Sequence, residues 1–132
     1  MENLYSNITE IILLAFLAIT FLQSGLDKIF DWKGNVNWLK GHFSKTFMAN
    51  IVPLNLGIVL ILEVLAGILC VAGIYELITQ SQKTTGLYGA VVSSLVLLML
   101  LFGQRVAKDY DGARTIAIYF VPAIFTVFLL SR

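Results

Sequence analysis

Charged side chains are scarce in this sequence and unevenly spread. They make up 13% of its 132 residues, against roughly a quarter in a soluble domain, and long uncharged tracts separate the clumps in which they occur. This shortage excludes an ordinary water-soluble globule. The net charge is only +1, and the basic residues do not alternate with aromatics along any stripe, which sets nucleic acid aside as a partner. The single cysteine, Cys70, lies in an apolar run. An internal disulfide, a CxxC redox pair and a cysteine metal site are thereby excluded. The single histidine, His42, has no second histidine at ligand spacing, so it reads as a surface residue and no metal or haem site is expected. No Gly-rich phosphate loop, Ser-His-Asp constellation or nucleotide fingerprint is present. The N-terminal MENLYSNITE lacks the basic n-region and small-residue cleavage site of a secretory leader, so the first apolar segment is expected to be retained.

What the sequence has is hydrophobic length: 58% hydrophobic residues and a mean hydropathy of +0.87. A helix crossing the roughly 30 Å hydrocarbon core needs about 20 mostly apolar residues, and four stretches qualify, over about 8–30, 52–75, 85–102 and 114–130. Pro53 falls in a first helical turn, where its missing N–H costs nothing; Pro122 is mid-helix and tolerable inside a membrane bundle. Between the first two stretches, over about 35–50, Val36, Leu39, Phe43 and Phe47 recur at helical spacing with Lys40, Ser44 and Lys45 between them. That pattern predicts a short amphipathic helix in the headgroup region, a connector or, alternatively, a gate for a ligand. The remaining connections are short, which makes successive helices antiparallel neighbours. The expected fold is all-α: a single-domain polytopic membrane protein, a four-transmembrane-helix antiparallel bundle with an interfacial helix between its first two spans.

Lys and Arg near the spans number seven on the side of the first and third connections and two on the side of both termini. The positive-inside rule then predicts non-cytoplasmic termini. Since lipid provides no hydrophobic drive for helices to associate, small residues have to let the backbones approach. They lie on one face of each of the first three helices: Ala15, Ala18 and Gly25; Ala66, Gly67 and Cys70; Gly86, Gly89, Ala90 and Ser93. These faces are expected to form the interior, as packing rather than chemistry.

Glu63 carries the strongest chemical signal. It lies 11 residues beyond Val52, about 16 Å into the membrane at 1.5 Å per residue, where an ionisable group must be protonated, paired or hydrated. It is expected to face the interior as a neutral, proton-carrying acid: a proton site, or a hydrogen-bonded packing group. A second cluster gathers at one end of the first and third helices, Gln23, Ser24, Asp27 and Lys28 with Gln104, Arg105, Lys108, Asp109, Tyr110 and Asp111. At a shared depth Asp27 and Arg105 invite an ion pair closing the mouth of the bundle. The functional reading is a polar pocket for the headgroup of an anionic or quinone-like ligand; the simpler one has Lys28 and Lys108 anchoring the spans at lipid headgroups. Glu10 reads as an interfacial charge.

The segments FLQSGLDKIFDW, WLKGHFSKT, LEVLAGILCVAG and GQRVAKDYDGA together resemble the DoxX family of small bacterial membrane proteins, over about residues 21–120. The resemblance implies a four-helix bundle in the bacterial inner membrane. A related DoxD protein is a subunit of a thiosulfate:quinone oxidoreductase, and other members are proposed to tether redox enzymes to the membrane. The matching positions are Gly25, Lys28, Glu63, Gly67, Arg105, Lys108, Asp109, Tyr110 and Gly112. Many relatives begin with basic residues before the first helix, which this chain lacks, in keeping with its own lysine and arginine count.

Three functions follow as expectations. The chain is an accessory subunit of a redox- or quinone-linked membrane complex, not catalytic alone, with no intrinsic cofactor but a site for quinone or lipid. Alternatively it is a non-enzymatic assembly or anchoring subunit that packs against larger subunits or against itself. A third possibility, a small proton-coupled carrier, lacks the inverted repeats and broken helices of that class.

Overall fold

A computed structural model describes residues 2–132. A short α1 (Glu2–Ser6) leads into α2 (Ile8–Phe30); α3 (Trp32–His42) and a 3-10 turn (Ala49–Ile51) connect it to α4 (Val52–Gln80), followed by α5 (Thr84–Val106) and α6 (Tyr110–Leu130). Four of these helices, α2, α4, α5 and α6, are long and apolar enough to cross a membrane. The chain is an all-α, multi-pass membrane bundle. The spans start close to where the hydropathy pattern puts them, but α4 and α5 run further than expected. Helical hydrogen bonding does not stop at the first polar residue, and α4 continues through Glu76, whose carboxylate accepts the Thr85 hydroxyl. At 29 residues α4 is about 43 Å long, more than the hydrocarbon thickness. It ends on Ser81, whose left-handed backbone (φ 53°) turns the next N–H, that of Gln82, back to the Glu76 carbonyl at 3.4 Å. Nearby, Nδ2 of the buried Asn7 donates to Ser81 Oγ at 3.0 Å, fastening the start of α2 to the end of α4.

Helix α4 packs against both α2 and α5, α5 against α6, and α6 closes the ring on α2. On α4 the buried side chains Val59, Glu63, Ala66, Cys70, Gly73 and Leu77 recur in alternating steps of four and three, the spacing of left-handed knobs-into-holes packing. On α2 the buried Ile11, Leu14, Ala18, Phe21 and Gly25 follow the same rhythm, and its next position is Lys28. Ala18, Gly25, Ala66, Gly67, Cys70, Gly86, Gly89, Ala90 and Ser93 are buried as expected, while Ala15 is only half-buried at the edge of this face. Each glycine has a specific neighbour. A Cβ on Gly67 would lie 2.5 Å from Leu22 Cγ, one on Gly25 3.0 Å from Val64 Cγ2, and one on Gly89 2.9 Å from the Cys70 backbone nitrogen. The closest approach is between Gly73 and Gly86, where α4 and α5 meet backbone to backbone.

Cys70 is fully buried and its Sγ lies 3.9 Å from Ser93 Oγ. Since thiols react only where they are accessible, Cys70 should resist a maleimide in the folded bundle and label when the bundle is unfolded. Labelling at equal rates in both states would contradict this burial.

The interfacial helix differs from expectation in its extent. It starts at Trp32 and ends at His42 rather than spanning 35–50. The apolar spacing continues beyond it, but the Thr46 hydroxyl donates to the Phe43 carbonyl and accepts from the Met48 N–H. Such local side-chain bonds favour a turn over helix. Val36 and Phe43 are buried against the bundle, whereas Trp38 and Phe47 are largely exposed.

Candidate functional site

In an α-helix side chains lean toward their own N-terminus, so on antiparallel neighbours they lean toward one another across a difference in level. Gly25 of α2 faces Val64 of α4, which sets Glu63 near the level of Gly25 and about one helical turn from Lys28. The lysine stem and the glutamate then converge. Lys28 Nζ lies 2.7 Å from Glu63 Oε1, with side chains 15% and 2% exposed. The ammonium also donates to Ser24 Oγ at 2.7 Å. Although the charges are in contact, Glu63 Oε1 receives no directed hydrogen bond. The interaction is charge against charge, and the carboxylate keeps unused hydrogen-bonding capacity.

This pair revises the expected site. Glu63 is not a lone acid but has a cation against it, and Lys28 turns inward instead of anchoring α2 at the headgroups. The missed signal was the four-and-three spacing on α2, which continues from Gly25 to Lys28. Asp27 and Arg105 do not pair. Asp27 is exposed on α2, while the exposed Arg105 places its guanidinium 5.0 Å from the centre of the Tyr110 ring. An arginine with a free aromatic face one turn away needs no carboxylate across the bundle.

Two cavities flank the pair. The larger, about 680 Å³, lies between α3, the 43–51 segment, the first turns of α4 and the last turns of α5. Its wall is mainly apolar, with Trp38, Phe43 and Met99 prominent, and its polar contributions come from Lys28, Asn35, Asn55 and Gln104. The smaller, about 340 Å³, lies between α2, α5 and α6, and is bordered by Gln23, Ser24, Asp27, Glu63 and Tyr119. Lys28 lines the first cavity and Glu63 the second, while Leu100 borders both. The ion pair is part of the partition between them.

Of the expected ligand-binding residues, Lys28 and Gln104 therefore line the larger cavity and Gln23 and Asp27 the smaller. Arg105, Lys108, Asp109 and Tyr110 line neither. They build the α5–α6 turn instead: Lys108 adopts a left-handed backbone (φ 60°), and Asp109 caps α6 by accepting the Gly112 N–H at 3.0 Å. His42 is not a surface residue. Its Nε2–H donates to Gln104 Oε1 at 3.0 Å, its ring stacks on Trp38, and Asp109 Oδ2 lies 3.7 Å away. It thus ties α3 to the α5–α6 turn at the rim of the larger cavity. Asn35 and Asn55 went unnoticed in the sequence, because a polar residue at the edge of a span looks the same whether it faces headgroups or a cavity. Among the described residues no group of three or more His, Cys, Asp and Glu could hold a metal ion.

Chemically, the arrangement suits a molecule with an apolar body and a small polar head: broad hydrophobic walls, a few amide groups and one ammonium whose counter-ion sits behind it. Compared with known proteins, the chain matches no family model, no curated protein and no solved structure.

Proposed function

We propose that this membrane protein binds an amphiphile of the quinone or lipid class, and serves as an accessory subunit of a redox-linked complex in a bacterial inner membrane. The observation that carries the reading is the larger cavity. Its volume of about 680 Å³ lies within the roughly 300–1,000 Å³ of small-molecule sites, which are likewise mostly apolar with a few placed polar groups. The DoxX-like segments supply the redox context, since they hold both members of the ion pair and Gln104 at the cavity rim. The lysine and arginine count supports a cavity on the cytoplasmic side with both termini on the other. The head of the ligand would meet Lys28, Asn35, Asn55 and Gln104, and its chain the aromatic wall.

Gly103 offers a test. It lines the cavity, and a Cβ there would sit at ordinary contact distance, 3.5 Å, from Phe43 Cζ. A Gly103→Leu variant should fold, since leucine is the better helix former, and its added carbons should occupy the cavity. Native mass spectrometry after purification in a mild neutral detergent should find a quinone or lipid on the wild type and at least a tenfold lower occupancy on Gly103→Leu. Equal occupancy in the two proteins, or an empty wild type, would refute the reading.

A further inference from the structure

We propose that the Lys28–Glu63 pair is a site of coupled anion and proton binding: an amphiphile with an anionic head occupies the larger cavity against Lys28, and one proton joins Glu63 as it does so. This rests on the amphiphile-binding reading and goes beyond it by naming the charge of the head and its stoichiometric partner.

The argument is one of charge balance in a site of low dielectric. Without ligand, Lys28 and Glu63 neutralise each other at 2.7 Å. Lys28 is the one charged residue among the described residues lining the larger cavity, so an anionic head entering there is drawn to it. The site then holds two negative charges against one positive, a buried excess that apolar surroundings strongly disfavour. Protonation of Glu63 removes the excess: the head stays beside the ammonium, the carboxylate becomes a neutral acid, and the site is neutral before and after. The partition provides the route. Glu63 borders the second cavity, on the far side from the ligand, so the proton need not pass the amphiphile. Its Oε1, against the ammonium, takes no directed hydrogen bond that a proton would have to displace.

The titratable and charged groups around Glu63 are few. On α2 they are Lys28 and Asp27, and on α6 Tyr119 borders the same cavity; α5 contributes only Leu97 and Leu100 there. His42 and Asp109 sit at the rim of the other cavity, where His42→Gln serves as their control.

The test uses the full chain in neutral detergent and hexadecyl sulfonate, an anion whose own charge does not titrate, with hexadecanol as its uncharged counterpart. By calorimetry in buffers of different ionisation heat, sulfonate binding to the wild type should take up about one proton, and wherever it does so the affinity should fall about tenfold per pH unit. Glu63→Gln should bind sulfonate without proton uptake or pH dependence; His42→Gln should keep the uptake of about one proton per sulfonate bound. Lys28→Gln should lose sulfonate but keep hexadecanol. Should that variant fail to fold, the double variant Lys28→Gln with Glu63→Gln, which leaves no charge uncompensated, should show the same selectivity. Competition with phosphatidylglycerol distinguishes the sources: displacement assigns the site to a lipid headgroup, its absence to a single-chain anion. Sulfonate binding with no proton uptake, uptake that survives Glu63→Gln, or uptake lost in His42→Gln would overturn the proposal. So would binding of hexadecanol without sulfonate, which leaves the cavity reading standing. Binding of neither probe, nor of a short-chain quinone, would remove both.

Discussion

Lys28→Met should destabilise the bundle by about 3–5 kcal/mol, the usual cost of stranding one member of a buried ion pair. Glu63→Gln should cost less, about 1–3 kcal/mol, the range for losing a charged contact whose survivor is still served. The asymmetry follows from the surroundings. Glu63 is 2% exposed and takes no directed hydrogen bond on Oε1, so removing the ammonium leaves its charge with nothing. Lys28 is 15% exposed and holds Ser24, and its flexible stem lets the ammonium move toward water. Replacing both with Met should recover most of the loss, because apolar replacement of a whole buried pair is often neutral or better. Denaturant unfolding in detergent, read by maleimide labelling of Cys70, measures all four proteins. Equal costs for the two single variants, with no recovery in the double, would mean that the contact does not govern either residue.

At the crossing of α4 and α5, Gly73→Ala should cost about 1–3 kcal/mol by overpacking, and Gly73→Leu should prevent recovery of folded protein. A Cβ on Gly73 would lie 2.7 Å from the Gly86 backbone nitrogen and closer still to its Cα. Backbone atoms on a packed helix cannot rotate aside as a leucine methyl can, so the helices themselves must separate. Gly57→Ala in the same helix is the control. There the nearest atom would be Trp32 Cη2 at 3.8 Å, and the substitution should be neutral or stabilising by up to about 1 kcal/mol, since alanine is the better helix former. Thermal unfolding of both variants in detergent separates the effects of space from those of helix propensity. A loss in Gly57→Ala as large as in Gly73→Ala would show that glycine flexibility, not close approach, is what α4 requires.

How far the sequence foretold this structure depends on whether the signal was local. Spans are local: twenty apolar residues in a row cannot be accommodated otherwise, and α2, α4, α5 and α6 begin within a few residues of where hydropathy places them. Most small-residue faces were legible for the same reason, since glycine and alanine stand out among leucines. Gly73 was overlooked although it continues the row through Ala66 and Cys70. Which side of α4 is interior was hard to read, because lipid-facing and interior positions are equally apolar, as exposed Ile61 and Ile68 beside buried Val59 and Ala66 illustrate.

The candidate site was legible in its parts but not in their pairing. Glu63 announced itself as a charge in an uncharged tract, but its partner depended on the relative level of two helices, which no single segment encodes. Asp27 and Lys28 are adjacent in sequence and only one of them faces the interior; four-and-three spacing selects Lys28. The cavity depends on where the chain after His42 turns back over α4 and α5, and that is decided by the Thr46 hydroxyl and the burial of Phe43, details that hydrophobic periodicity does not carry.

The central claim is that Glu63 is held as a carboxylate by Lys28 inside the membrane bundle. Infrared difference spectroscopy of the purified protein, wild type minus Glu63→Gln, tests it directly, because an ionised carboxylate and a protonated carboxyl group absorb in separate regions. The expected wild-type signal at neutral pH, with the cavity free of anionic amphiphile, is that of the carboxylate; in Lys28→Met it should move to the protonated acid. A protonated carboxyl signal in the unliganded wild type, unchanged when Lys28 is replaced, would contradict the account.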